Sequence, residues 1–190
     1  MQKTSLVLAA ACGLTSVAQG QLVVDQIGAT LVAGGLGGPV VQTFTPALDN
    51  IAAIEIGING TGALTTDVTV SVFSMYDGSG SVGGLSGLLG TVTVTDVDRG
   101  TRPLLTFDSP FLVTPEVQLF MLVELSDALV VSADRDSPSP YDRGSVVIGG
   151  GNLSGTDIVF RTFADPNIPA PAAAAVFGAG GLLAARRRRA

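Results

Sequence analysis

Val68-Thr69-Val70-Ser71-Val72-Phe73 (VTVSVF) decides the fold class, because its apolar residues recur every second position. Successive side chains of an extended strand point to opposite faces, so this period is that of a strand with one dry and one wet face. The same alternation appears at Ile54, Ile56 and Ile58 against Glu55, Gly57 and Asn59. It appears again at Val92 and Val94 against Thr91, Thr93 and Thr95. Val117 to Leu125 (VQLFMLVEL) differs. Val117, Leu119, Met121, Val123 and Leu125 share one face while Phe120 and Leu122 occupy the other, so this strand is expected at the centre of a sheet.

Working outward, further strands are expected at 22–25, 40–45, 104–107, 129–133, 145–148 and 157–163. Turn chemistry separates them: Asn59-Gly60 suits a tight hairpin, 77–90 (DGSGSVGGLSGLLG) reads as a long Gly/Ser loop, and Ser137-Pro138-Ser139-Pro140 punctuates another connection. No stretch of this region holds a helical period over three turns. Many short strands without strand–helix alternation predict an all-β fold, an antiparallel β-sandwich over residues 21–166. Phe44, Phe73, Phe107, Phe111, Phe120, Phe160 and Phe163 are assigned to its core.

Composition narrows the chemistry. The chain is 46% hydrophobic and 14% charged, with 25 glycines in 190 residues, which is too apolar for a disordered polymer. All 16 acidic residues lie between Asp25 and Asp165, whereas Lys3 and Arg186 to Arg189 sit at the two ends. The interior therefore sets Arg99, Arg102, Arg135, Arg143 and Arg161 against 16 acids, a net charge of −11. Such a surface repels nucleic acid, whose phosphates need clustered Lys and Arg. The chain has no His, and its one Cys, Cys12, falls in the N-terminal apolar run. Imidazole- or thiol-based nucleophile systems and His/Cys zinc sites are thereby excluded from the interior, and a non-enzymatic protein is expected.

Both ends read as sorting segments. Lys3, the apolar run Leu6 to Leu14 and the small residues of Ala18-Gln19-Gly20 form a secretory signal peptide over residues 1–20, cut before Gln21 by signal peptidase. A lipoprotein signal ending at Cys12 is the rival reading; Ala9 stands where such signals usually carry Leu. At the other end, residues 167–190 divide into Pro169-Ala170-Pro171, an apolar helix at 172–185 and the block Arg186, Arg187, Arg188 and Arg189. The 14 residues of that helix extend roughly 21 Å against a hydrocarbon core about 30 Å thick. A short transmembrane helix of this kind suits a temporary stay in the inner membrane, with the arginines stopping in the cytoplasm. A permanent tail anchor is the alternative.

This three-part tail resembles the PEP-CTERM sorting domain over Ile168 to Ala190. The resemblance implies recognition by an exosortase, a membrane-embedded cysteine protease or transpeptidase. The family's Pro-Glu-Pro maps onto Pro169-Ala170-Pro171 and departs from it at Ala170. A looser resemblance runs through Asp25-Gln26, Gln42 to Leu48 (QTFTPAL), Leu88-Leu89-Gly90, Leu105-Thr106-Phe107, Ser109-Pro110, Val113-Thr114 and Val159 to Phe163. That order is similar to sandwich modules of bacterial surface proteins and implies a jelly-roll-like arrangement.

The expected role is thus an exported structural or adhesive protein of the cell surface or extracellular matrix of a Gram-negative-type bacterium. A carbohydrate-binding module that meets extracellular polysaccharide is the first alternative. With no Trp in the chain, its aromatic platform falls to Tyr76 or Tyr141, each next to an aspartate. A glycosidase using two carboxylates is the second, with Glu55, Glu124, Asp142 and the loop acids as candidates. No cofactor is expected beyond calcium, for which Asp96 with Asp98 and Asp134 with Asp136 offer alternate carboxylates; neither pair has the length or Gly placement of an EF-hand loop.

Overall fold

The computed structural model describes residues 21–28, 34–60, 63–127, 129–134, 141–148, 151–153 and 156–168. The signal-peptide and Ser137–Pro140 assignments, and the sorting tail beyond Ile168, lie outside them. The strands in chain order are β1 (Val23–Ile27), β2 (Gly34–Leu36), β3 (Val40–Phe44), β4 (Asn50–Ile56), β5 (Ile58–Asn59), β6 (Thr65–Tyr76) and β7 (Leu85–Asp98). They continue as β8 (Leu104–Leu112), β9 (Leu119–Leu125), β10 (Val130–Asp134), β11 (Val146–Ile148), β12 (Gly151–Leu153), β13 (Asp157–Ile158) and β14 (Phe160–Ala164). The described residues contain no α-helix, only a 3-10 turn at Val82–Gly84.

Four strands form one sheet in the order β1-β14-β4-β8, and six form another in the order β12-β11-β3-β9-β6-β7. A smaller sheet runs β13-β10-β2, with β5 also on β10. Every pairing is antiparallel. The two larger sheets share one apolar interior. Ile51, Ile54, Ile56, Leu105 and Phe160 reach it from the four-stranded sheet, and Val40, Phe44, Val68, Val70, Val72, Met121 and Val123 from the six-stranded one. The domain is therefore all-β, antiparallel and sandwich-like.

The two-residue period is realised where it was strongest. Val68, Val70 and Val72 are fully buried. β9 lies between β3 and β6, with Leu119, Met121 and Val123 facing the interior and Phe120 and Leu122 joining a second apolar cluster on the outer face. Val117 falls outside this strand and is exposed, because Glu116 turns the chain with a φ of 64°.

Two turn expectations are corrected. The Gly/Ser loop ends at Gly84, not Gly90: β6 continues to Tyr76, and β7 pairs along its length through a bulge that sets Val72 against Gly90 and Phe73 against Leu88. Asn59-Gly60 closes no hairpin, since β5 pairs with β10 while β6 pairs with β7 and β9. Gly60 does take a positive φ, 130°, but at a crossing between sheets. Pro110 lies within β8, an edge strand, where the missing N–H costs no ladder bond.

Candidate functional site

The two tyrosines are placed in different environments. Tyr141 is only 4% exposed, and its ring meets Phe160 edge-on at 5.5 Å. Its hydroxyl accepts the Thr45 N–H at 2.9 Å. The segment that carries it is laced to β3: Thr43 N–H donates to the Ser145 carbonyl, Ser145 N–H to Thr43 Oγ1, and Thr45 Oγ1 to the Arg143 carbonyl. Gly144 permits that approach, since a Cβ there would stand 1.9 Å from the Thr43 carbonyl oxygen. Burial pushes the phenol up to about 12. A ring so enclosed offers no face to a sugar, and Tyr141 acts as a core residue.

Tyr76 ends β6 half-buried, 5.6 Å from Phe120, in the outer cluster with Phe73, Leu85, Val41, Leu122 and Val147. Its neighbour Asp77 is exposed and accepts the Ser79 N–H at 2.8 Å, and hydrogen bonds from Ser79 hold its carboxyl below the usual range. That carboxylate shapes a turn.

Among the described residues, the carboxylates singled out from the sequence do not converge on a catalytic pair. Glu55 leaves the outer face of the four-stranded sheet beside Arg161, 3.8 Å away. Glu124 leaves the outer face of the six-stranded sheet beside Thr69, so the sandwich stands between the two acids. Asp96 occupies a bulge at a φ of 55° and donates its N–H to Asp67 Oδ1, and Asp98 is exposed on the same edge. Among the described residues no group of three or more acids could hold a metal ion. Asp134 is buried against Asp157 across the β10–β13 ladder, away from solvent, and Asp136 lies outside the described residues.

The polar centre that does form was not singled out from sequence. Gln42 is fully buried on the inward phase of β3 shared by Val40 and Phe44. Its Nε2 donates to Asp157 Oδ1 at 2.9 Å and to the Thr43 carbonyl at 2.8 Å, and its Oε1 accepts the Ile158 N–H at 3.0 Å. Burial raises the Asp157 carboxyl above its ordinary 3.8, opposed by the Gln42 hydrogen bond and reinforced by the Asp134 charge. The available signal was a glutamine in phase with core residues; its partner is 115 positions away.

A second polar clamp holds the two ends of the domain together. β1 pairs with β14, with Val23 opposite Ala164, so the start of β1 and the end of β14 lie at the same end of one sheet. Asp25 ties this edge to the β3–β4 connection: Oδ1 accepts the Ala47 and Leu48 N–H groups at 2.9 and 2.7 Å, and Oδ2 accepts Thr162 Oγ1 at 3.0 Å. Burial raises this carboxyl also. Asn50 grips the exit, its Oδ1 accepting the Asp165 N–H at 2.8 Å and its Nδ2 donating to the Asp165 carbonyl at 3.2 Å. Beside it lies a groove of about 300 Å³ lined by Val23, Leu48, Asn50, Ala164, Pro166 and Ile168 among others.

By class, then, this is an all-β antiparallel, sandwich-like domain whose first and last described strands are held together at one pole. The sequence matches no protein-family model and no curated protein.

Proposed function

We propose that the protein is exported and that its domain, jelly-roll-like in arrangement, serves as a structural or adhesive element of the cell surface or extracellular matrix. Signal peptidase removes residues 1–20, and the tail at 167–190 holds the chain briefly in the inner membrane until an exosortase acts at Pro169-Ala170-Pro171. The observation that carries this reading is the clamped exit. With Val23 opposite Ala164 and Asn50 on Asp165, both appendages depart from one pole, so a membrane segment joined to Ile168 leaves the rest of the sandwich projecting outward. The non-enzymatic role is supported by the scattered, buried or turn-forming placement of the acids.

The arginine block provides the test. Replacing Arg186, Arg187, Arg188 and Arg189 with alanine removes the stop that fixes tail orientation. The expected outcome is a fall of at least tenfold in surface-displayed protein, measured by protease accessibility of intact cells, with the chain retained uncut. Unchanged display would contradict the proposal.

A further inference from the structure

β7 is 14 residues long and closes one side of the six-stranded sheet, and among the described residues no strand pairs with its outer edge. An open edge presents a row of backbone N–H and C=O groups that can accept another strand, and proteins normally blunt such edges with charge, proline, shortness or a bulge. Both edges of the four-stranded sheet carry these devices. β1 has five residues and a register shift around Asp25, and β8 contains Asp108 and Pro110. β7 is bulged at Leu88–Gly90 and around Asp96, but between these bulges Gly90 to Thr95 (GTVTVT) holds no charge and no proline inside a domain of net charge −11.

Within that stretch, Thr91-Val92-Thr93-Val94-Thr95 reads identically in both directions. In an antiparallel pairing about a two-fold axis at Thr93, that residue faces its own counterpart, Thr91 faces Thr95 and Val92 faces Val94. Hydroxyls then meet hydroxyls on the outer face, and valines meet valines on the inner one. The same hydroxyl pairing already joins β7 to β6, where Thr93 Oγ1 lies 2.9 Å from Thr69 Oγ1 and Thr91 Oγ1 2.9 Å from Ser71 Oγ. No acid meets an acid in this register, because Asp96 and Asp98 lie beyond the even run. Bulges bound the stretch on both sides, at Val72/Phe73 and Thr66/Val68 of the β6–β7 ladder, leaving an even run from Gly90 to Val94. A short self-complementary edge between two bulges fits a closed two-fold pair rather than an open filament.

We infer that a second copy of this chain pairs through β7, joining two six-stranded sheets into one continuous sheet. The edge strand alone carries this inference, which is independent of how the tail is processed.

The test uses the full chain with Cys12→Ser, in density-matched detergent. At the two-fold axis the Cα atoms of facing residues stand about 4.5–5.5 Å apart, within the range a disulfide bridges. Thr93→Cys should therefore give a majority of disulfide-linked dimer under mild oxidation, whereas Thr101→Cys, on the exposed turn after β7, should remain monomeric. Without the added cysteines the chain should sediment at twice its mass. Thr93→Lys, at an exposed position, should keep the β-type circular dichroism and sediment as a single chain. Monomeric sedimentation of the parent chain, a pair that survives Thr93→Lys, or equal cross-linking through Thr101→Cys would overturn the inference.

Discussion

Phe160→Ala is expected to cost about 3–5 kcal/mol, the range for removing a fully buried aromatic ring. Phe160 is 1% exposed and holds three parts of the fold together. It belongs to β14 of the four-stranded sheet, meets Phe44 of the six-stranded sheet edge-on at 6.1 Å, and supports the Tyr141 ring. It also covers Gly28, where a Cβ would fall 2.2 Å from the ring, so strand β1 approaches only because that position is glycine. Truncation opens a cavity where a sheet, its partner sheet and the 141–145 segment meet. A denaturant titration should show the midpoint fall sharply with little change in slope, since the surface exposed on unfolding is nearly unchanged.

Gln42→Leu is expected to cost about 3 kcal/mol or more at neutral pH, because a buried polar group stripped of its partner loses roughly 1–3 kcal/mol. The substitution keeps side-chain bulk but removes the amide that donates to Asp157 Oδ1 and the Thr43 carbonyl, and the oxygen that accepts Ile158 N–H. Its pH dependence separates this cause from simple misfit. Asp157 has a raised carboxyl, so its contribution is fully present below the ordinary value of 3.8 and is lost as pH rises through the folded value. The Gln42 hydrogen bond opposes that rise, so the variant's carboxyl lies higher still and its loss of stability with pH is larger. Melting temperatures recorded from pH 4 to pH 7 should show the gap between parent and variant widening with pH. A gap independent of pH would remove the role assigned to the carboxylate.

These two positions also show where sequence stops informing. The strands read best were those whose own pattern matched their environment: β6, with three valines in phase, and β9, apolar on both faces and central in its sheet. The first half of β7 was hidden because Leu85 to Gly90 is rich in turn residues and becomes strand only by pairing with an extended β6. β2 and β12, three residues each, carry too short a pattern to register. The site was harder to see. A tyrosine beside an aspartate looks like surface chemistry, yet long-range packing on Phe160 and a bond to Thr45 carry Tyr141 inward. Gln42 could be suspected from its phase, but nothing local names Asp157 as its partner.

The proposal of a displayed domain released from its terminal segments rests on the exit clamp and on the sequence of the two ends. Intact-mass spectrometry of protein recovered from the cell surface tests this most directly. The expected result is a species that begins at Gln21 and ends within or just before Pro169 to Pro171. Recovery of a surface form that still carries Ala172 to Arg189 would contradict it.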